Sequence, residues 1–215
     1  MGAKTWLLMY AEGDPAEILR SGPKLDRAAS TALVARLFPA ASFVAANDES
    51  LAFACPSGGD VMIGCFPGLT IVAAGELAVD LPSQIDNRFL DLAQGRTVYI
   101  HLMHSVVDWF AYAIWKDGQW LRSLSVSPDS GVIEDVGERR AFEAPFWSGE
   151  RPAVDPEEDP DEYPLPFHPL EMGEAALEAL FGYQLEGGIN ADLLDPDKIP
   201  LMAFTVVKRP RWKLW

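Results

Sequence analysis

Residues 107–126 read Val-Asp-Trp-Phe-Ala-Tyr-Ala-Ile-Trp-Lys-Asp-Gly-Gln-Trp-Leu-Arg-Ser-Leu-Ser-Val. Asp117-Gly118 in their middle is the dipeptide that a two-residue type I′ turn selects, because both central positions need positive φ. The flanks are rich in aromatic residues, so 107–116 and 119–126 predict an antiparallel hairpin. Counting outward from the turn, Trp115 opposes Trp120, Tyr112 opposes Ser123 and Asp108 opposes Ser127. The first strand is apolar on both sides, with Trp109, Ala111, Ala113 and Trp115 against Phe110, Tyr112 and Ile114, which calls for cover on both faces of the sheet. Ser127-Pro128-Asp129-Ser130-Gly131 is a second turn, and 132–136 returns as a third strand. A meander results.

Working outward, 5–10 predicts an opening strand inside the sheet, ended by Glu12-Gly13-Asp14-Pro15. Asp26 is placed to cap a helix over 27–38, with Ala29, Leu33 and Leu37 as the core-facing stripe. The runs 61–66 and 69–74 flank Pro67-Gly68 and predict a hairpin. A short helix at 87–94 leads into a strand at 96–104. Pro169 opens a helix that runs to Phe181 with Gly182 behind it, and 201–207 is a closing strand. The fold expected is α+β: a mainly antiparallel meander sheet covered by a few helices. It is expected as one domain over 1–207, interrupted by an acidic, proline-rich loop at 151–163 and followed by a basic, aromatic tail at 208–215.

The 215 residues carry 17 Lys and Arg against 32 Asp and Glu, a net charge of −15 that disfavours nucleic acid and anionic lipid as partners. No apolar run approaches the ~20 residues of a membrane helix, and the start has no signal-peptide pattern, so a cytoplasmic location is expected. Cys55 and Cys65, nine residues apart, match no zinc-ligand spacing and are expected as buried free thiols.

Chemistry-bearing residues concentrate at one end of the meander: His101, His104, Ser105, Asp108, Ser125, Ser127, Asp129 and Ser130. In a continuous strand His104 and Asp108 share a face, and the counted register sets Ser127 opposite Asp108. A carboxylate, an imidazole and a hydroxyl are the parts of a nucleophilic triad, so His104, Asp108 and Ser127 are the candidate catalytic set of a hydrolase. Turns, however, also demand Ser and Asp, and the count leaves His104 roughly 13 Å from Asp108 at ~3.3 Å per residue. The expectation is that Asp108 hydrogen-bonds the 127–131 turn. His101 and His104 point to opposite faces of a strand, so no metal site is expected. The chain lacks GxxxxGK[ST], GxGxxG after a strand, GxSxG and HExxH, and no cofactor is expected.

Gly64-Cys65-Phe66-Pro67-Gly68, the block from His104 to Asp135, Phe142-Glu143-Ala144-Pro145-Phe146-Trp147 and Pro164-Leu165-Pro166-Phe167-His168-Pro169 together resemble a family of uncharacterised bacterial proteins, known as a domain of unknown function. The resemblance runs to about Phe204. It implies a cytoplasmic bacterial protein and assigns no activity.

The leading functional expectation is a non-catalytic cytoplasmic protein that binds a macromolecular partner, a protein among the candidates, through the sheet end and the surface at 142–147. Its candidate contacts are Trp109, Phe142, Phe146 and Trp147, since aromatic residues are favoured at interfaces. The alternatives are the hydrolase above and a small-molecule binder with a pocket walled by Trp109, Trp115 and Trp120.

Overall fold

A computed structural model describes residues 2–154, 163–186 and 190–207. Most of the predicted acidic loop and all of the tail at 208–215 lie outside them. The elements run β1 (Lys4–Ala11), α1 (Pro15–Arg20), α2 (Arg27–Leu37), β2 (Phe43–Ala45), β3 (Glu49–Ser50), β4 (Val61–Phe66), β5 (Leu69–Ala74), α3 (Asn87–Leu90), β6 (Thr97–His104), β7 (Trp109–Lys116), β8 (Gln119–Ser127), β9 (Gly131–Gly137), α4 (Ala144–Trp147), α5 (Pro169–Phe181) and β10 (Pro200–Val206). The strands form one open, antiparallel, ten-stranded sheet in the order β2-β10-β4-β5-β1-β6-β7-β8-β9, with β3 also pairing β10. The fold is α+β, as expected; β7 to β9 are the expected meander, and β6 pairs with β7 on its other side.

Asp117 and Gly118 take φ of 49° and 83°, as the hairpin turn requires, and Trp115 faces Trp120 across it. Beyond that pair the register departs from simple counting. Ile114 faces Arg122 and Tyr112 faces Leu124, because Leu121 is an extra residue in β8, a bulge. Gly137 opposite Arg122 accommodates it: a Cβ there would lie 2.3 Å from the Leu121 carbonyl oxygen, and φ is +81°. The bulge moves Arg122 to the face of Phe110, Tyr112 and Ile114. A second irregularity lies between Ser125 and Val126, where Ile133 is the extra residue of β9.

Both faces of the sheet are covered. On one, Leu8, Tyr10, Val72 and Ile100 pack with Val34 and Leu37 of α2, with Phe38 just past its end and with Phe89 of α3. On the other, Leu7, Met9 and Ile71 pack with Leu19 of α1 and with Leu177 and Phe181 of α5, and Phe110, Tyr112 and Leu124 pack with Phe146 and Met172. The core-facing stripe of α2 is Ser30, Val34 and Leu37, one residue on from the expected stripe at Ala29 and Leu33. Ser30 holds that position because its Oγ accepts from the Cys65 backbone N–H at 3.0 Å while donating to the Asp26 carbonyl, satisfying an otherwise open stretch of β4. The helix expected over 87–94 shortens to α3. Cys55 is half-buried rather than buried, and both cysteines are free thiols. No helix among the described residues is long and apolar enough to cross a membrane.

Candidate functional site

Each residue of the candidate triad has a partner outside the triad. β6 ends at His104, and 105–108 form a turn instead of continuing the strand, with Asp108 at φ +46°. His104 accepts the Val106 backbone N–H at Nδ1 (3.3 Å) and its ring lies against Trp6. Ser127 pairs with Gly131, and its Oγ accepts from Ser130 N at 3.2 Å, so this hydroxyl fastens its own turn. The expected bond from Asp108 to that turn does not form: Asp108 lies in the 105–108 turn outside β7, and Ser127 Oγ is engaged by Ser130 N. Instead Asp108 Oδ2 lies 3.7 Å from His168 Nε2. No hydrogen bond joins any two of His104, Asp108 and Ser127.

His101 is wholly enclosed. Its Nε2–H donates to the Gly173 carbonyl of α5 at 2.9 Å, and the Thr5 hydroxyl lies 2.7 Å from Nδ1. Burial lowers its pKa to about 4, so it is a neutral structural link between sheet and helix. Among the described residues no group of three or more His, Cys, Asp or Glu is placed to hold a metal ion. Trp109 is 8% exposed, with Nε1 donating to Ser125 Oγ at 3.0 Å. It stands roughly 20 Å along β7 from Trp115 at ~3.4 Å per residue, so the three tryptophans do not share one pocket wall. Most aromatic residues are core residues; Tyr10, Phe89, Phe110, Tyr112, Phe146, Phe167, Phe181 and Tyr183 are all fully buried.

A buried polar network fixes the segment that carries the other candidate contacts. Glu143, from a single 3-10 turn at Ala141–Glu143, is 0% exposed and accepts from Arg122 Nε (2.9 Å) and Nη2 (2.7 Å), Tyr112 Oη (2.5 Å), Arg140 N (2.7 Å) and Trp147 Nε1 (3.1 Å). Burial alone would push this carboxyl up, but the hydrogen bonds from Arg122 and Tyr112 hold it below the usual range. Arg122 completes its fork with Asp135 Oδ1 at 2.5 Å. The aromatic segment 142–147 is therefore anchored to β7 and β8 from inside, by residues on the face to which the bulge turns Arg122.

That anchored segment forms one wall of a groove of about 730 Å³. Phe142, Pro145 and Phe146 line this side, with Phe146 1% exposed and the Arg151 guanidinium 5.5 Å from its ring. The opposite wall is α5, which presents Glu171, Glu174 and Glu178 at spacings of three and four residues, on one helix face. His168 closes one end: its Nδ1 accepts the Leu170 N–H at 3.3 Å, capping α5, while Tyr163 stacks on its ring at 5.6 Å. Glu174 is held by the backbone N–H groups of Leu185 (2.8 Å) and Glu186 (3.3 Å). Burial, aided by the charge of Glu186, raises its pKa to about 7. Of the candidate contacts, Phe142 and Phe146 line the groove; Trp147 is half-buried behind Glu143, and Trp109 lies on the other face of the sheet.

The sequence region that builds this groove is matched as a whole. A model of a family of unknown function, DUF6928, covers residues 5–204. The chain belongs to that family. The DUF6928 span takes in β1 from Thr5, all of β2 to β9, β10 as far as Phe204 and both walls of the groove, and it ends before 208–215. No curated protein and no solved structure matches the chain.

Sequence reasoning missed Arg122, Glu143, His168 and Glu174. One signal was present: Glu143 lies three residues after Arg140, the spacing at which a side chain returns to cap its own turn. The partners of Arg122 depend on the bulge, and a single residue's slip in register has no signature in composition.

Proposed function

We propose that this protein is a non-catalytic cytoplasmic protein that binds a protein partner, seating a short basic and apolar segment of it in the groove between α5 and 142–146. The asymmetry of the groove carries this: a wall of Phe142 and Pro145, backed by Phe146 with Arg151 5.5 Å from its ring, faces a wall of Glu171, Glu174 and Glu178. An apolar side chain gains by leaving water on the first wall, and a Lys or Arg beside it meets carboxylates on the second. The net charge of −15 adds long-range attraction for a cationic partner and repels nucleic acid. Two free thiols, both pushed up by burial and so unreactive, suit a reducing compartment.

The test is site-specific photo-cross-linking in cells from a reactive residue placed at Ala179, on the exposed lip of the groove. The expected result is capture of a defined partner segment containing Lys or Arg beside an apolar residue, with at least a tenfold drop in yield in the Glu171→Lys, Glu178→Lys variant. Capture that charge reversal leaves unchanged, or no capture above a control position on β9, overturns the proposal.

A further inference from the structure

A second groove, of about 1020 Å³, lies on the far side of Gln184 and Glu186, which border both. Among the described residues its wall holds four carboxylates, Glu49, Asp60, Glu186 and Asp197, and one cation, Lys4. Each of three is fixed by a hydrogen bond: Asp60 accepts from Val206 N at 3.0 Å, Asp197 from Ser50 Oγ at 3.1 Å and Glu186 from Ala3 N at 2.7 Å. Among the described residues none of the four stands in an ion pair. The groove also holds Phe53, 53% exposed and the only exposed aromatic residue among those described. Ordered, unneutralised carboxylates around an uncovered aromatic ring form a surface with the complement of a cationic, aromatic segment.

The chain itself carries such a segment, starting beside the groove. Ala203, Phe204 and Thr205 of β10 line it, and the described chain ends two residues further on at Val207, whose N–H donates to the Ser42 carbonyl. Residues 208–215 read Lys-Arg-Pro-Arg-Trp-Lys-Leu-Trp: four cations and two tryptophans in eight residues. Eight residues reach up to about 26 Å when extended, enough to turn back from Val207 into the groove. An attached segment also docks at an effective concentration in the millimolar range, so modest complementarity suffices.

We propose that residues 208–215 dock in cis into this groove, with their cations against Glu49, Asp60, Glu186 and Asp197 and a tryptophan against Phe53. This is independent of the partner groove at α5, and it makes the second groove a surface that the chain covers for itself. Because the carboxylates are solvent-facing, docking weakens as ionic strength rises.

The experiment is NMR of the full chain labelled with ¹⁵N at tryptophan. At low salt the indole signals of Trp212 and Trp215 are expected away from random-coil positions, with positive heteronuclear NOEs. Glu49→Lys with Asp197→Lys, and separately Phe53→Ala, should return both to random-coil positions while the buried Trp109 signal stays put, reporting an intact fold. Random-coil signals in the unaltered chain overturn the proposal, as do signals that these variants leave unchanged. Loss of the docked signals on dilution would assign the contact to a second copy and overturn docking in cis. Their loss in the Glu171→Lys, Glu178→Lys variant would place the segment in the other groove and overturn it equally.

Discussion

Arg122 and Glu143 are both 0% exposed, and each is the counter-charge that makes the other's burial tolerable. Replacing one partner leaves a desolvated charge behind, which costs more than the pair contributes. Arg122→Met should therefore lower stability by about 3–5 kcal/mol in urea unfolding. The double change Arg122→Met, Glu143→Gln should cost less than Arg122→Met alone, because it removes the stranded carboxylate. A single change costing under about 1 kcal/mol would show that the pair does not hold the 142–147 wall in place. At this scale the sequence was informative where a residue serves its own neighbourhood. Asp117-Gly118 makes its turn, Asp26 caps α2, and Ser127 accepts from Ser130. Asp108 was misplaced because its partner, His168, is 60 positions away in the chain.

α5 lies so close to the sheet that a side chain at one of its positions would press on the residues beneath it. A Cβ on Gly173 would meet Met103 Sδ at 2.7 Å and Phe110 Cδ2 at 3.1 Å, and the Gly173 carbonyl at that approach receives the His101 Nε2–H. In an open helix Gly→Ala adds about 1 kcal/mol through helix propensity. Here overpacking of about 1–3 kcal/mol opposes that gain, and the displaced helix strains the His101 bond. Gly173→Ala should accordingly lower the melting temperature, whereas a rise would mean that α5 can lift from β6 at no cost. The apolar spacing of α5 was readable at 169–181, as were the hairpin at 61–74 and the helix at 27–37. The buried stripe of α2 was not, since Ser30 faces inward to satisfy β4 and hydrophobicity alone gives no reason to bury a serine. Nor was the bulge at Leu121, which depends on Gly137 of the next strand giving it room.

Over the whole molecule, Glu174 links the grooves to pH. Its folded pKa, about 7, lies above its ordinary 4.5, so the folded state holds this proton more tightly than the unfolded chain does. The resulting stability is fully present below about 4.5 and is lost as pH rises through about 7. Glu174→Gln should remove that part of the pH dependence: the difference in urea midpoint between variant and parent should shift in the variant's favour between pH 5 and pH 7.5. A difference independent of pH would mean that the carboxyl titrates as in the unfolded chain. The comparison isolates Glu174 from the general repulsion of a chain with net charge −15, which both proteins share apart from this site. By itself the sequence determined the α+β class, the antiparallel meander, most strand and helix positions and the acidic character of the surface, because turn dipeptides, caps and apolar periodicity act within a few residues of one another. Only the tertiary structure decided that Arg122 faces Glu143, that Phe142 and Phe146 stand across a groove from Glu171, Glu174 and Glu178, and that Glu49, Asp60, Glu186 and Asp197 share a wall. Those relations follow from a one-residue bulge and from the packing of α5 on β6 and β7, contacts between segments far apart in the chain.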